Sequence, residues 1–446
     1  MKKYTYPAYL LLLLITCLSA CKKNDPDYFG KTPTERSTEA LSKYQTQLTS
    51  APNGWKAILY PNGGGVYLFS IKFGADNRVS MLSDIDEETS TTSNESGYTV
   101  KQLQAPSLVF DTYSYIHLLS DPTPALPDGN KGSGYSSDFE FSFDKMSGDT
   151  ITLIGNKKGS KLTLVKAKTT AEYTSFTTGT STVFTTLNAV RTYFKRVTIG
   201  TTACELNIDK GNKLLSLSYL DGGTNLKTVS SAFYIDGSTN SIILSKPLLV
   251  DKTSITAMEK IVGDAANHTV NLSVSNNAIQ IKEATAPLKV DITAPKRWHD
   301  QMNLNFNGTW VSTAAFHFGV DDYCNFSNVP GYSGLWYAGP SVFGGTSEGV
   351  ISFVNNQLVT PYALTSTFTY PEPGVGRFTL LGSTTGFTAS TPLALAMKAA
   401  RGLLYKGAIA GSSEDWYFIQ TNAAGTAYDM VRVSDAQVWI SWKPRG

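Results

Sequence analysis

The sequence has little of what most enzyme chemistry requires. Only four histidines and four cysteines are spread over 446 residues, and no His-Glu-x-x-His occurs. Charge of one sign is lacking too. The 38 basic residues face 36 acidic ones, and the chain without Lys2 and Lys3 is close to neutral. No basic stripe stands out, which argues against nucleic acid as a partner. Uninterrupted apolar runs stay well short of the about 20 residues that cross a bilayer as a helix. Helix-favouring runs are few. Glycine, proline, serine and threonine are frequent instead, and 23 tyrosines and 21 phenylalanines suit strands and turns. The length accommodates two or three domains with cores of their own.

The N-terminus reads as an address. Met1-Lys2-Lys3 is a positive start, Tyr9 to Ile15 is apolar, and Ser19-Ala20 precede a cysteine. This is the layout of a secretory signal. Leu18-Ser19-Ala20-Cys21 is similar to the bacterial lipobox, so Cys21 is expected to be acylated and to become the mature N-terminus, with residues 1–20 removed. More than one acyl chain is needed for stable anchoring, and a bacterial lipoprotein cysteine carries several. With Cys17 lost and Cys21 lipidated, Cys204 and Cys324 remain. They form either one disulfide, as an oxidising compartment permits, or two buried free thiols.

Residues 21–31 are polar and without period, a tether. Thr32-Pro33-Thr34-Glu35 then opens a helix with a capping residue, a proline at the first helical position and a glutamate three after the cap. Pro52-Asn53-Gly54 ends it. From Trp55 the period switches to two. Short strands and tight turns follow to Val165, including Tyr113 to Leu118, with Asp84 to Asn94 as an acidic loop. The pattern predicts a mainly β fold: an N-terminal helix followed by a lipocalin-like antiparallel meander or barrel over 32–168, then further antiparallel β modules. Residues 169–300 form a middle β region, whose threonine-rich start (169–202) favours strand over helix. Residues 301–446 form a C-terminal β region, with a second helix over Ala394 to Leu404. No tight internal repeat is visible.

Several segments of the first 165 residues carry a family resemblance. They include Leu48-Thr49-Ser50-Ala51-Pro52-Asn53-Gly54-Trp55, Val79-Ser80-Met81-Leu82-Ser83-Asp84 and Leu108-Val109-Phe110-Asp111-Thr112-Tyr113. With Ser120-Asp121-Pro122 they resemble the domain-of-unknown-function family numbered 4302, whose members are Bacteroidota lipoproteins. The resemblance implies an outer-membrane position and a part in nutrient capture beside importers of the starch-utilisation type. It implies no catalytic residues.

No constellation in the residues supports catalysis. Gly345-Thr346-Ser347-Glu348-Gly349 has the Gly-x-Ser-x-Gly spacing, but a strand pattern follows it and the last histidine, His317, precedes it. It reads as a glycine-rich turn. Asp84, Asp86, Glu87 and Glu88 form an acidic cluster suited to calcium if the loop closes on it. His299-Asp300 and His317 with Asp321 and Asp322 are weaker ligand candidates. The most natural binding feature is Pro330 to Pro340, a glycine- and proline-punctuated loop carrying Tyr332, Trp336 and Tyr337, which either present flat faces to a sugar or peptide or, for Trp336 and Tyr337, fold back to cap a barrel end. Trp439 and Trp442 read as barrel wall. The expectation is a lipid-anchored, surface-exposed ligand-binding accessory to an importer of glycans or peptides, with no cofactor. A surface hydrolase and an adhesive protein are the alternatives.

Overall fold

The computed structural model describes residues 30–123, 132–305, 309–382, 390–407 and 409–445. Cys21, the signal and the tether up to residue 29 therefore lie outside the described residues.

Helix α1 (Pro33–Thr49) starts where the capping residues put it. Thr32 and Glu35 exchange hydrogen bonds, Glu35 donating its N–H to Thr32 Oγ1 at 3.2 Å and Thr32 donating its own to Glu35 Oε2 at 2.8 Å. Eight antiparallel strands follow: β1 (Trp55–Tyr60), β2 (Tyr67–Phe73), β3 (Arg78–Ser83), β4 (Asn94–Gln102), β5 (Pro106–Phe110), β6 (Glu140–Ser147), β7 (Thr150–Gly155) and β8 (Lys161–Lys166). β8 returns to β1, with Trp55 opposite Lys166, and closes a barrel. Closure leaves no free strand edge. Eight strands enclose a space just wide enough for side chains. Trp55, Ala57 and Leu59 alternate inward and are fully buried. Leu48 and Tyr44 of α1 pack onto that inner core, so the helix plugs an open end. Two short helices decorate the rim, α2 (Glu87–Thr91) and α3 (Tyr115–Leu118). The acidic loop and the strand expected over 113–118 are thus partly helical, because Asp86 caps α2 and Ser114 begins α3.

The arrangement then recurs twice. Helix α4 (Thr170–Leu187) precedes a second closed barrel: β9 (Phe194–Ile199), β10 (Thr202–Asp209), β11 (Leu214–Asp221), β12 (Asn225–Asp236), β13 (Ser241–Val250), β14 (Thr253–Asp264), β15 (Thr269–Val274) and β16 (Asn277–Ala284). Helix α5 (Ala294–Asn305) precedes a third. Its strands are β17 (Thr309–Ser312), β18 (Phe316–Phe318), β19 (Tyr332–Ala338), β20 (Glu348–Val354), β21 (Gln357–Thr369), β22 (Val375–Leu380), β23 (Ser413–Gln420), β24 (Tyr428–Arg432) and β25 (Val438–Pro444). β25 closes the ring by pairing with β17, and with β18 further along. Two more helices belong to this unit, α6 (Pro340–Phe343) and α7 (Pro392–Tyr405).

The repeat is one of architecture. In the first unit Trp55 donates its indole N–H to Leu48 O of the plug helix at 2.8 Å; in the third, Trp310 donates to Trp298 O at 3.0 Å. Each barrel has its own core cluster. Trp298 and Met302 belong to the third core, so that unit begins with α5 at Ala294 rather than at residue 301.

One further expectation is corrected, and one open alternative is decided. Residues 170–187 are helix, not strand. Hydroxyls of Thr174, Ser175, Thr178 and Thr186 donate to the carbonyls four residues back, so these four polar side chains are satisfied within the helix. Cys204 and Cys324 are free and buried. They sit in the cores of different barrels and cannot meet.

Candidate functional site

The first two barrels are joined through α4 and through a hairpin turn. Tyr173 of α4 and Ser70 of β2 exchange hydrogen bonds at 2.7 and 3.1 Å. Glu172 of α4 pairs with Lys56 of β1, which also lies 3.8 Å from Asp236 of β12. The turn between β10 and β11 carries Lys210 to Lys213 out of the second barrel and against the first. Lys213 takes a left-handed backbone conformation, φ 48°, which costs a non-glycine residue some strain. Its ammonium meets Asp84, just past the end of β3, at 2.5 Å. The other Asp84 oxygen accepts the Leu68 backbone N–H at 2.7 Å. Lys213 Nζ also lies 4.5 Å from the centre of the Tyr67 ring. Burial pulls the lysine pKa down, and the Asp84 charge opposes that shift.

This buried pair forms one wall of a cavity of about 380 Å³. Helix α4 supplies Thr180 and Phe184, its C-cap residue Asn188 adjoins them, and the second barrel supplies Phe233 and Tyr234. Thr180 is among the lining residues; its hydroxyl is buried and has no hydrogen-bond partner among the described residues. Lys210 reaches over Phe184, 5.0 Å from the ring centre, and makes no ion pair among the described residues. Asp86 lines the same space while its carboxylate accepts the Thr89 N–H at 2.8 Å and caps α2. Aromatic and apolar walls with a few directed polar groups, set between two folded units, are the usual make-up of a small-ligand site. An unpaired buried hydroxyl calls for a polar partner, from water or ligand.

The residues singled out from the sequence fare differently. Asp84 and Asp86 both line the cavity, but as ion-pair partner and helix cap. Glu88 is exposed, and the Glu87 side chain lies outside the described residues. Among the described residues no three His, Cys, Asp or Glu groups gather as a metal site. Pro330 to Pro340 is not a loop, since Tyr332 to Ala338 are strand β19. Alternation therefore sends its neighbouring rings to opposite faces. Tyr337 is fully buried in the third core, 4.8 Å from Trp298 by ring centres, and burial raises its pKa well above the usual value. Trp336 lies on the outer wall, stacked on Phe353 at 4.3 Å. Tyr332 stacks on Phe326 at 5.0 Å. The three make no common platform.

Nor do the histidines converge. His299 Nε2 lies 2.8 Å from Glu348, and His317 Nδ1 lies 2.6 Å from Asp321 with its ring on Trp439. The Gly345–Gly349 segment runs from a helix through a turn into a strand, the reverse of a nucleophile elbow.

Sequence reading missed Lys213, Thr180 and Phe184. Asp209-Lys210-Gly211-Asn212-Lys213 reads only as a turn, and nothing local marks Lys213 as the partner of an aspartate 129 positions away.

Fold and cavity define a class: a chain of three antiparallel barrels, each led by a plug helix, with a ligand-sized space between the first two. The chain belongs to the domain of unknown function family DUF4302, whose profile matches residues 25–261. All the cavity-lining residues fall within that segment. No curated protein matches the sequence. Among solved structures the chain is similar to the octameric penicillin-binding protein homologue from Pyrococcus abyssi, at 15% identity over 38% of this chain and 41% of that one, TM-score 0.16. It is similar to the DNA polymerase III beta chain of Streptococcus pneumoniae at 13% identity, over 91% of this chain and 98% of that one, TM-score 0.14. It is similar to transferrin binding protein B of Neisseria meningitidis at 10% identity, over 88% and 74%, TM-score 0.17. Likenesses at these TM-scores carry no argument.

Proposed function

We propose that this chain is a lipid-anchored protein of the outer membrane, exposed at the cell surface, which holds a small glycan or peptide ligand between its first two barrels and passes it unchanged to an importer. The observation that carries the reading is the cavity, with Lys210 in no ion pair among the described residues and the Phe184 and Phe233 side chains lining one space. The lipobox-like Leu18 to Cys21 supports the anchor. A binding role is favoured over hydrolysis because both cavity carboxylates are already engaged, Asp84 by Lys213 and Leu68, Asp86 by the cap of α2.

The test is calorimetric titration of the chain from residue 22 with neutral oligosaccharides and short peptides, beside Phe184→Ala and Lys210→Ala variants. One class is expected to bind, and each variant to weaken it by about tenfold or more, the factor that 1.4 kcal/mol represents. Binding that ignores both variants, or no binding by either class, overturns the cavity reading. The anchor is tested separately. Cys21→Ala moves the protein out of the membrane fraction, and retention there sinks the lipoprotein assignment.

A further inference from the structure

The third barrel carries a second built surface, independent of the cavity. It lies on the outer wall where the barrel closes. β17 is only four residues long and pairs with β25 through just Trp310–Pro444 and Val311–Lys443 before the chain kinks at Thr313-Ala314 and resumes pairing as β18. The break leaves a groove of about 560 Å³.

Alternation decides what lines it. Trp310, Tyr337 and Trp442 point into the barrel and are fully buried. Their neighbours Val311, Trp336 and Lys443 point out, and the register sets Trp336 beside Val311 and Val311 beside Lys443. Trp336 forms the floor, with Phe353 on one side and the Arg445 guanidinium 4.6 Å from its ring centre. Ser333, Ser441 and Thr313 add hydroxyls at the rim. Lys443 and Arg445 are exposed, and neither is in an ion pair among the described residues. No acid lines the groove among the described residues. Asp429, which feels the charge of Lys443, has its carboxylate engaged by the Tyr193 hydroxyl at 2.7 Å.

We propose that this groove binds an anionic saccharide, its carboxylate or sulfate held by Lys443 and Arg445 and its ring laid against half-buried Phe353, which stacks on the buried Trp336. Two unpaired cations beside each other favour an anion, and guanidinium suits planar carboxylates in particular. Aromatic faces suit the apolar side of a pyranose ring, and the serine and threonine hydroxyls suit its polar edge. The site lies outside residues 25–261 and does not depend on the cavity being a ligand site.

Affinity electrophoresis of the chain from residue 22 tests this, through gels containing polygalacturonate, chondroitin sulfate or neutral pullulan. Retardation by one or both acidic polymers and not by pullulan is expected, weakening as salt screens the charges. The pattern over the two acidic polymers tells carboxylate from sulfate. A Lys443→Ala, Arg445→Ala variant should lose the retardation. A Lys246→Ala, Lys252→Ala variant has the same net charge and should keep it. Equal retardation of both variants, retardation by pullulan, or none by either acidic polymer overturns the proposal. All four substitutions fall at exposed positions, and an unchanged circular dichroism spectrum confirms that the variants remain folded.

Discussion

Cys204 and Cys324 show how burial sets the chemistry of single groups. Withdrawal from water disfavours the thiolate, and the two pKa values are pushed up to about 11 and about 12 from 9.0. Both thiols are therefore inert at neutral pH. In the chain from residue 22 carrying Cys21→Ala, a thiol reagent at pH 8 should label neither residue while the protein is folded and both once it is unfolded. Fast labelling of the native protein would show that the two cores are open. The sign of the pH effect follows. The folded pKa lies above the unfolded one, so this stability is complete below pH about 9 and is lost as pH rises through about 11 to 12. Denaturation midpoints should fall over that window, and less so in a Cys204→Ala, Cys324→Ala variant.

Helix α4 is the element on which the molecule turns, because both of its sides are occupied. It packs on β2 of the first barrel and on β12 and β14 of the second. Its Gly179 lies against Gly237, and a Cβ there would come within 2.3 Å of the Gly237 Cα. Gly402, in α7, is exposed and a Cβ on it would meet nothing within 4 Å. The same substitution should thus have opposite effects. Gly402→Ala gains about 0.5–1 kcal/mol from helix propensity and a less flexible unfolded chain. Gly179→Ala gains the same propensity but forces two backbones apart, a net loss of about 1–3 kcal/mol. Urea denaturation of both variants checks this; equal stabilisation by both would mean that α4 is not clamped between the barrels.

At the scale of the molecule, the first two barrels share α4, the Lys56–Glu172–Asp236 chain and the buried Lys213–Asp84 pair. The third meets the second through a smaller patch around Phe194, Val431 and Ala436 and the Tyr193–Asp429 hydrogen bond. Calorimetry should therefore show two transitions, one for the first two barrels together and one for the third. Lys213→Ala strands the Asp84 carboxylate and should destabilise the first unit by about 3–5 kcal/mol, leaving the other transition in place. A shift of both transitions together would instead mean that all three barrels unfold as one.

Local pattern made much of this legible. Capping chemistry at Thr32 and Glu35 predicts α1, and the alternation in Trp55 to Leu59 predicts an inward-facing strand; both are physical consequences of near neighbours in the chain. The threonines of α4 misled because β-branched residues carry a strand preference that packing on two barrels outweighs. The ring-bearing stretch from Tyr332 to Tyr337 misled in the other direction. Its glycines and prolines signal a loop, while eight-fold closure recruits it as a wall.

What the sequence by itself determined is therefore what depends on spacing of a few residues: the mainly β character, the leading helix and the near-neutral charge. Only the tertiary structure decided the closure of each meander, the threefold recurrence of helix and barrel, the separation of Cys204 from Cys324 and the cavity itself. Those rest on contacts such as Trp55 with Lys166 and Asp84 with Lys213. Such pairs form only when whole units have folded and docked, and no local preference encodes them.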